Sequence, residues 1–182
     1  AYCMNFICMN FNKHSFLYIF FGLVFSNTLI VNGLHSQPIT ELRVIGNSAN
    51  FLFNTIDQYV NGIDLTDRTT IRIRYQIAGK EAWQLVVWTD ADSIEYQDGN
   101  TSSIPLDDFQ LIATPVSSDD PTITYTNPFT PTTSEQVLAK GDGIPGVLTV
   151  EFKITYKLLP DNLGNKSPGL YYVPLNLLLK EQ

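Results

Sequence analysis

Between Asp90 and Asn100 the sequence reads DADSIEYQDGN, and five of its side chains (Asp90, Asp92, Glu95, Asp98 and Asn100) carry oxygen. Calcium takes about six to eight oxygen ligands, so this stretch is the best candidate for a metal site, and Ca²⁺ is the one cofactor suggested. The spacing departs from the EF-hand pattern, because Gly99 is displaced and no terminal glutamate closes the stretch. A solvated acidic loop is the competing interpretation in a chain with 18 acidic residues. Asp107 and Asp108 are neighbours, and glycoside hydrolysis needs only a pair of carboxyl groups. Adjacent acids in so acidic a chain are more simply a solvated turn. Trp88 precedes the acidic stretch and Tyr96 lies within it, and both are candidate ligand-binding aromatics, although aromatics on strands more often fill a core.

Other chemistry is limited by where its residues fall. Both cysteines (Cys3, Cys8) and both histidines (His14, His35) lie within the first 36 residues. That segment has one basic residue, Lys13, then the apolar run Phe16 to Val31, then small residues including Gly33 and Ser36. Charged start, apolar middle and small-residue end are the parts of a secretory signal peptide. A membrane-spanning helix needs about 20 apolar residues, and this run is interrupted by Ser26, Asn27 and Thr28. The expectation is therefore removal of residues 1–36, with Met4 and Met9 as alternative starts. Residues 37–182 would then form a single exported domain with no membrane span, in the periplasm, on the cell surface or outside the cell. Such a domain has no disulfide, no histidine base, no thiol nucleophile and no usual zinc set. No GxSxG elbow and no phosphate-binding glycine loop occurs, so an enzyme is not expected. All 18 acidic residues follow residue 36. Nucleic acid, which needs clustered Lys and Arg, is not an expected partner.

The elements that must position these residues are strands. In residues 70–77 (TIRIRYQI), Ile71, Ile73, Tyr75 and Ile77 alternate with Arg72, Arg74 and Gln76, the pattern of a strand with one buried face. Residues 83–89 (WQLVVWT) are apolar on both faces and predict a central strand, joined to the first as a hairpin. In residues 146–158 (GVLTVEFKITYKL) the alternation is unbroken from Leu148 to Leu158. Leu42–Ile45, Phe51–Phe53 and Ile104–Thr114 predict shorter strands, and Thr55–Asn61 a turn of helix or a strand, with strand or loop preferred. Residues 90–103 and the proline-rich 115–133 predict loops, the second with an edge strand at Thr122–Thr126. Leu170–Leu179 predicts a last strand, its Pro174 confined to an edge or bulge. Many short strands separated by turns imply an all-β, Ig-like or pilin-like antiparallel β-sandwich.

The order of motifs in the second half adds to this. A tryptophan-bearing strand (AWQLVVWTD) is followed by an IPL start (SIPLDDFQL), a long alternating strand (LTVEFKITYKL) and a Pro-Gly-x-Tyr turn into a terminal strand (SPGLYYVPLNLLL). From Trp83 to Leu179 this resembles bacterial pilin-like and spore-coat-U-like Ig-fold surface domains. The resemblance implies a non-catalytic structural or adhesive subunit of a fimbria-like surface structure, with other surface subunits or a periplasmic chaperone as partners. The disulfide usual in many such subunits is absent. Gln37–Ile45, where a donated strand would lie, lacks clean alternation. A stand-alone module binding carbohydrate or protein is the alternative.

Overall fold

Apolar alternation at period two becomes strand almost wherever it occurs. The structure, a computed structural model, describes residues 40–46, 50–77, 82–97, 102–142 and 144–181, all within one compact unit, Pro38–Gln182. The expected signal segment and its cleavage point lie outside the described residues.

Among the described residues, twelve strands form three antiparallel sheets. Sheet A comprises β1 (Thr40–Gly46), β3 (Ile63–Ile77), β10 (Gly146–Leu158) and β7 (Phe109–Ser118), in that order. Sheet B comprises β2 (Asn50–Phe53), β11 (Gly169–Tyr172), β5 (Ser93–Tyr96) and β6 (Ser103–Pro105). Sheet C comprises β12 (Asn176–Glu181), β4 (Trp83–Trp88), β9 (Gln136–Gly141) and β8 (Thr124–Tyr125). The inner face of sheet A packs against both other sheets. Phe51 meets Phe109 at 5.6 Å between ring centroids, Tyr75 meets Trp83 at 5.4 Å, and Tyr125 meets Phe152 at 5.2 Å. One continuous apolar cluster runs through the three sheets. The all-β sandwich expected from the sequence is the fold of this chain.

The β10 alternation is realised in full: Leu148, Val150, Phe152, Ile154, Tyr156 and Leu158 are buried, and the residues between them face outward. Several local expectations are corrected, among them the single strand over Ile104–Thr114, which is β6 and β7 in different sheets, separated by a 3-10 turn at Leu106–Asp108. The 70–77 and 83–89 strands do not form a hairpin. β3 pairs with β1 and β10 in sheet A, whereas β4 pairs with β12 and β9 in sheet C. Tyr75 and Trp83 face each other across the core, so the chain changes layer between them. Residues 93–96 are strand β5 rather than loop, because Ile94 is buried between Ser93 and Glu95. In the proline-rich stretch, β7 continues through Pro115 to Ser118. Pro115 is accommodated at a register shift against Glu151 and Phe152, on an edge strand. Thr55–Asn61 takes the helical alternative and not the preferred strand or loop, as helix α1 (Ile56–Asn61). Gln58 starts it by accepting hydrogen bonds from the amides of Asn54 and Thr55 at 2.8 and 3.0 Å.

The last predicted strand is two. β11 and β12 are separated by Val173–Leu175, and Pro174 lies in the link. The chain thus leaves sheet B after Tyr172 and closes sheet C at its β4 edge.

Candidate functional site

The region between sheets A and C is organised by a carboxylate that sequence reasoning missed. Asp120 follows β7, and its side chain is 1% exposed. Its Oδ2 accepts hydrogen bonds from the Tyr75 hydroxyl and the Trp83 Nε1, both at 2.8 Å. Its Oδ1 accepts from the Thr122 amide at 2.9 Å and the Thr122 hydroxyl at 2.6 Å. The Ser118 hydroxyl completes the turn, donating to the Asp120 carbonyl at 2.9 Å and accepting from its amide at 3.0 Å. Gly141 on β9 leaves room for this arrangement, since a Cβ there would intrude on both the Asp120 carboxylate and the Trp83 Nε1. The only sequence signal is an acid two residues before a threonine, which predicts a side-chain-closed turn and says nothing of burial.

Burial works to raise the Asp120 pKa, but the hydrogen bonds from Thr122, Trp83 and Tyr75 outweigh it and hold the carboxyl below its ordinary value. Burial, reinforced by the hydrogen bond to Asp120 and its charge, pushes the Tyr75 hydroxyl far up. Tyr125 nearby is pushed up to about 12 by burial and by the Asp120 charge. At neutral pH the centre is therefore an ionised acceptor saturated by neutral donors. It has no proton to give and no free lone pair directed to solvent, which suits a clamp between layers rather than acid–base chemistry.

The sequence-selected residues are dispersed. Asp108 is buried and accepts from the Asn162 amide at 2.9 Å, whereas Asp107 is exposed, so the adjacent acids face different surroundings. Asp90 and Asp92 lie exposed between β4 and β5, and Asp90 accepts from the Asn176 amide at 2.9 Å. Glu95 sits on the outer face of β5 and accepts from the Tyr172 hydroxyl at 3.2 Å. Asp98 and Asn100 lie outside the described residues. Among the described residues no group of three or more His, Cys, Asp or Glu side chains gathers in a form able to hold a metal ion.

The two aromatic candidates separate. Tyr96 is committed to the fold: its ring lies over Gly169, edge-on to Tyr171 at 5.0 Å, and its hydroxyl donates to the Pro168 carbonyl at 2.9 Å. Gly169 has φ +145° and no room for a Cβ against that ring. Tyr171 ties the same turn by donating to the Ser167 carbonyl at 3.0 Å. The Pro-Gly-x-Tyr motif is thus a corner locked by two tyrosines. Trp88 is different. It ends β4 half-buried on the outer face of sheet C, opposite Asn176, whose amide reaches Asp90.

Edges are the remaining feature. The free side of β7 is covered by residues 127–129: Asn127 bonds both the amide and the carbonyl of Ala113 at 2.8 Å, and Phe129 exchanges two hydrogen bonds with Leu111. β1, at the opposite edge of sheet A, pairs only with β3 among the described residues. Its Val44 and Ile45 are 50% and 46% exposed. No helix among the described residues is long and apolar enough to cross a membrane. Compared with known protein families and with curated proteins, the chain matches none.

Proposed function

We propose that this chain is an exported, non-catalytic structural or adhesive subunit of a bacterial surface structure. The observation that carries this reading is β1, a seven-residue edge strand with no partner on its outer side among the described residues, while the other edge of its sheet is covered. An open edge with exposed Val44 and Ile45 is a template for pairing with another chain, and monomeric proteins ordinarily blunt such edges. The signal-like residues 1–36 and the pilin-like order of motifs from Trp83 to Leu179 support the same assignment. The Asp120 clamp and the tyrosine-locked corner give a rigid building block.

The alternative is a stand-alone binding module, and Trp88 favours it: a half-buried indole beside the Asp90–Asn176 pair is a stacking surface with polar groups at its rim. Fractionation of the producing cells with N-terminal sequencing tests the assignment. The expected product is surface-associated and begins near Gln37. Material that retains residues 16–31 inside the cell would contradict export and with it the surface role.

A further inference from the structure

All four arginines of the chain, Arg43, Arg68, Arg72 and Arg74, lie in β1 and β3 of sheet A. With Lys153 and Lys157, sheet A holds six of the chain's 11 basic residues and only Glu41, Asp64, Asp67 and Glu151 of its 18 acidic ones. The sheet is therefore positive in a protein whose net charge is −7. The register sets Arg43 directly opposite Arg72, and Glu41 opposite Arg74. Like charges directly opposite destabilise a sheet, and acids on the same sheet offset Arg43, Arg72, Lys153 and Lys157. Arg72 is drawn to Glu151 at 2.8 Å, Arg43 lies 3.7 Å from Glu41, and Lys153 reaches Asp67 at 3.2 Å. Arg68 and Arg74 are exposed and make no ion pair among the described residues. The exposed Ile45 and Val147 share this outer face. Arginine mixed with exposed aliphatic residues is the composition of a protein interface.

Sheet A has its inner face against sheets B and C, so its outer face and theirs lie on opposite sides of the sandwich. On the far side, Glu95 is exposed on the outer face of β5 and Asp90 is exposed beside Asn176 of β12, with exposed Asp92 between them in the sequence. We propose that the arginine face of one copy docks on the Asp90–Asp92–Glu95 surface of a second copy. Arginine's planar fork suits carboxylates. Because the two surfaces differ and sit on opposite layers, the contact is heterologous and continues in an open series. This rests on the surface-subunit reading above and supplies it with a specific lateral contact, distinct from pairing along the β1 edge.

Sedimentation velocity of the full chain over a concentration series, at low and high ionic strength, tests it. Self-association at low salt that fades at high salt is expected. Arg68→Glu with Arg74→Glu, or Asp90→Lys with Asp92→Lys and Glu95→Lys, weakens it by roughly tenfold or more. Mixing the two variants restores it, because each reversed face then meets an opposite charge. Circular dichroism melting identifies any variant that fails to fold, and the mixed-variant rescue then decides with single reversals at Arg74 and Asp92. A monomer at all concentrations and salts overturns the proposal, as does association that the reversals leave unchanged. Binding of an acidic polysaccharide through Arg68 and Arg74 without self-association also overturns it. A surface-located monomer would sink this contact and leave the surface role standing. An intracellular protein that still associates would do the reverse.

Discussion

At the scale of residues, the account turns on Asp120. A carboxylate with four donors at 2.6–2.9 Å ties β3, β4 and the turn after β7 into one unit. Asp120→Ala leaves the buried Tyr75 hydroxyl and Trp83 Nε1 without this acceptor, at a cost of about 1–3 kcal/mol each. Because the folded pKa lies below the ordinary value of 3.8, the ionised form is the one the fold favours. That stabilisation is fully present above the ordinary value and is lost as pH falls through the lower folded value. Thermal melting below about pH 4 should therefore show an acid-labile component that Asp120→Asn removes, with a lower Tm at neutral pH. An Asn variant whose melting temperature falls with acid as steeply as the parent's would show that the clamp carries no such linkage. The sequence could not reveal this centre. Its members, Tyr75, Trp83, Asp120 and Gly141, come from four segments, and only tertiary packing makes them neighbours.

At the scale of elements, legibility followed the strength of the local pattern. β10 could be read residue by residue, because burial on one face imposes strict alternation. Phe152→Ala is expected to cost about 3–5 kcal/mol, and Lys153→Ala, which loses one exposed pair with Asp67, within about 1 kcal/mol. Chemical denaturation of both variants checks this, and equal losses would invert the face assignment. Elements without alternation were missed or misjudged. β9 (QVLAKG) went unrecognised because the bulge against β4, between Leu85 and Val86, breaks its period. α1 was left ambiguous with a strand by its length of six residues, although Thr55 and Gln58 stand at capping-box spacing. Pairing was the least legible: alternation reports which face is buried and not which strand lies alongside. The β3–β4 hairpin failed for that reason.

At the scale of the whole molecule, the sandwich, its apolar interior and its polar turns were all legible from composition and period. The asymmetry between layers was not. Arg72 and Arg74 read as the solvent face of one strand, and only the β1–β3 pairing adds Arg43 to the same surface. Of the acidic residues grouped as a cation loop, Glu95 lies on a strand of sheet B and Asp90 is bonded to Asn176 of sheet C. A block with an edge strand that has no outer partner among the described residues, and with exposed arginines on the same sheet, suits repetition. Immunogold electron microscopy of intact producing cells, with antibody to this chain, tests that claim most directly. The account predicts label along extended surface assemblies, lost when the gene is deleted. Label confined to the cell interior would contradict it.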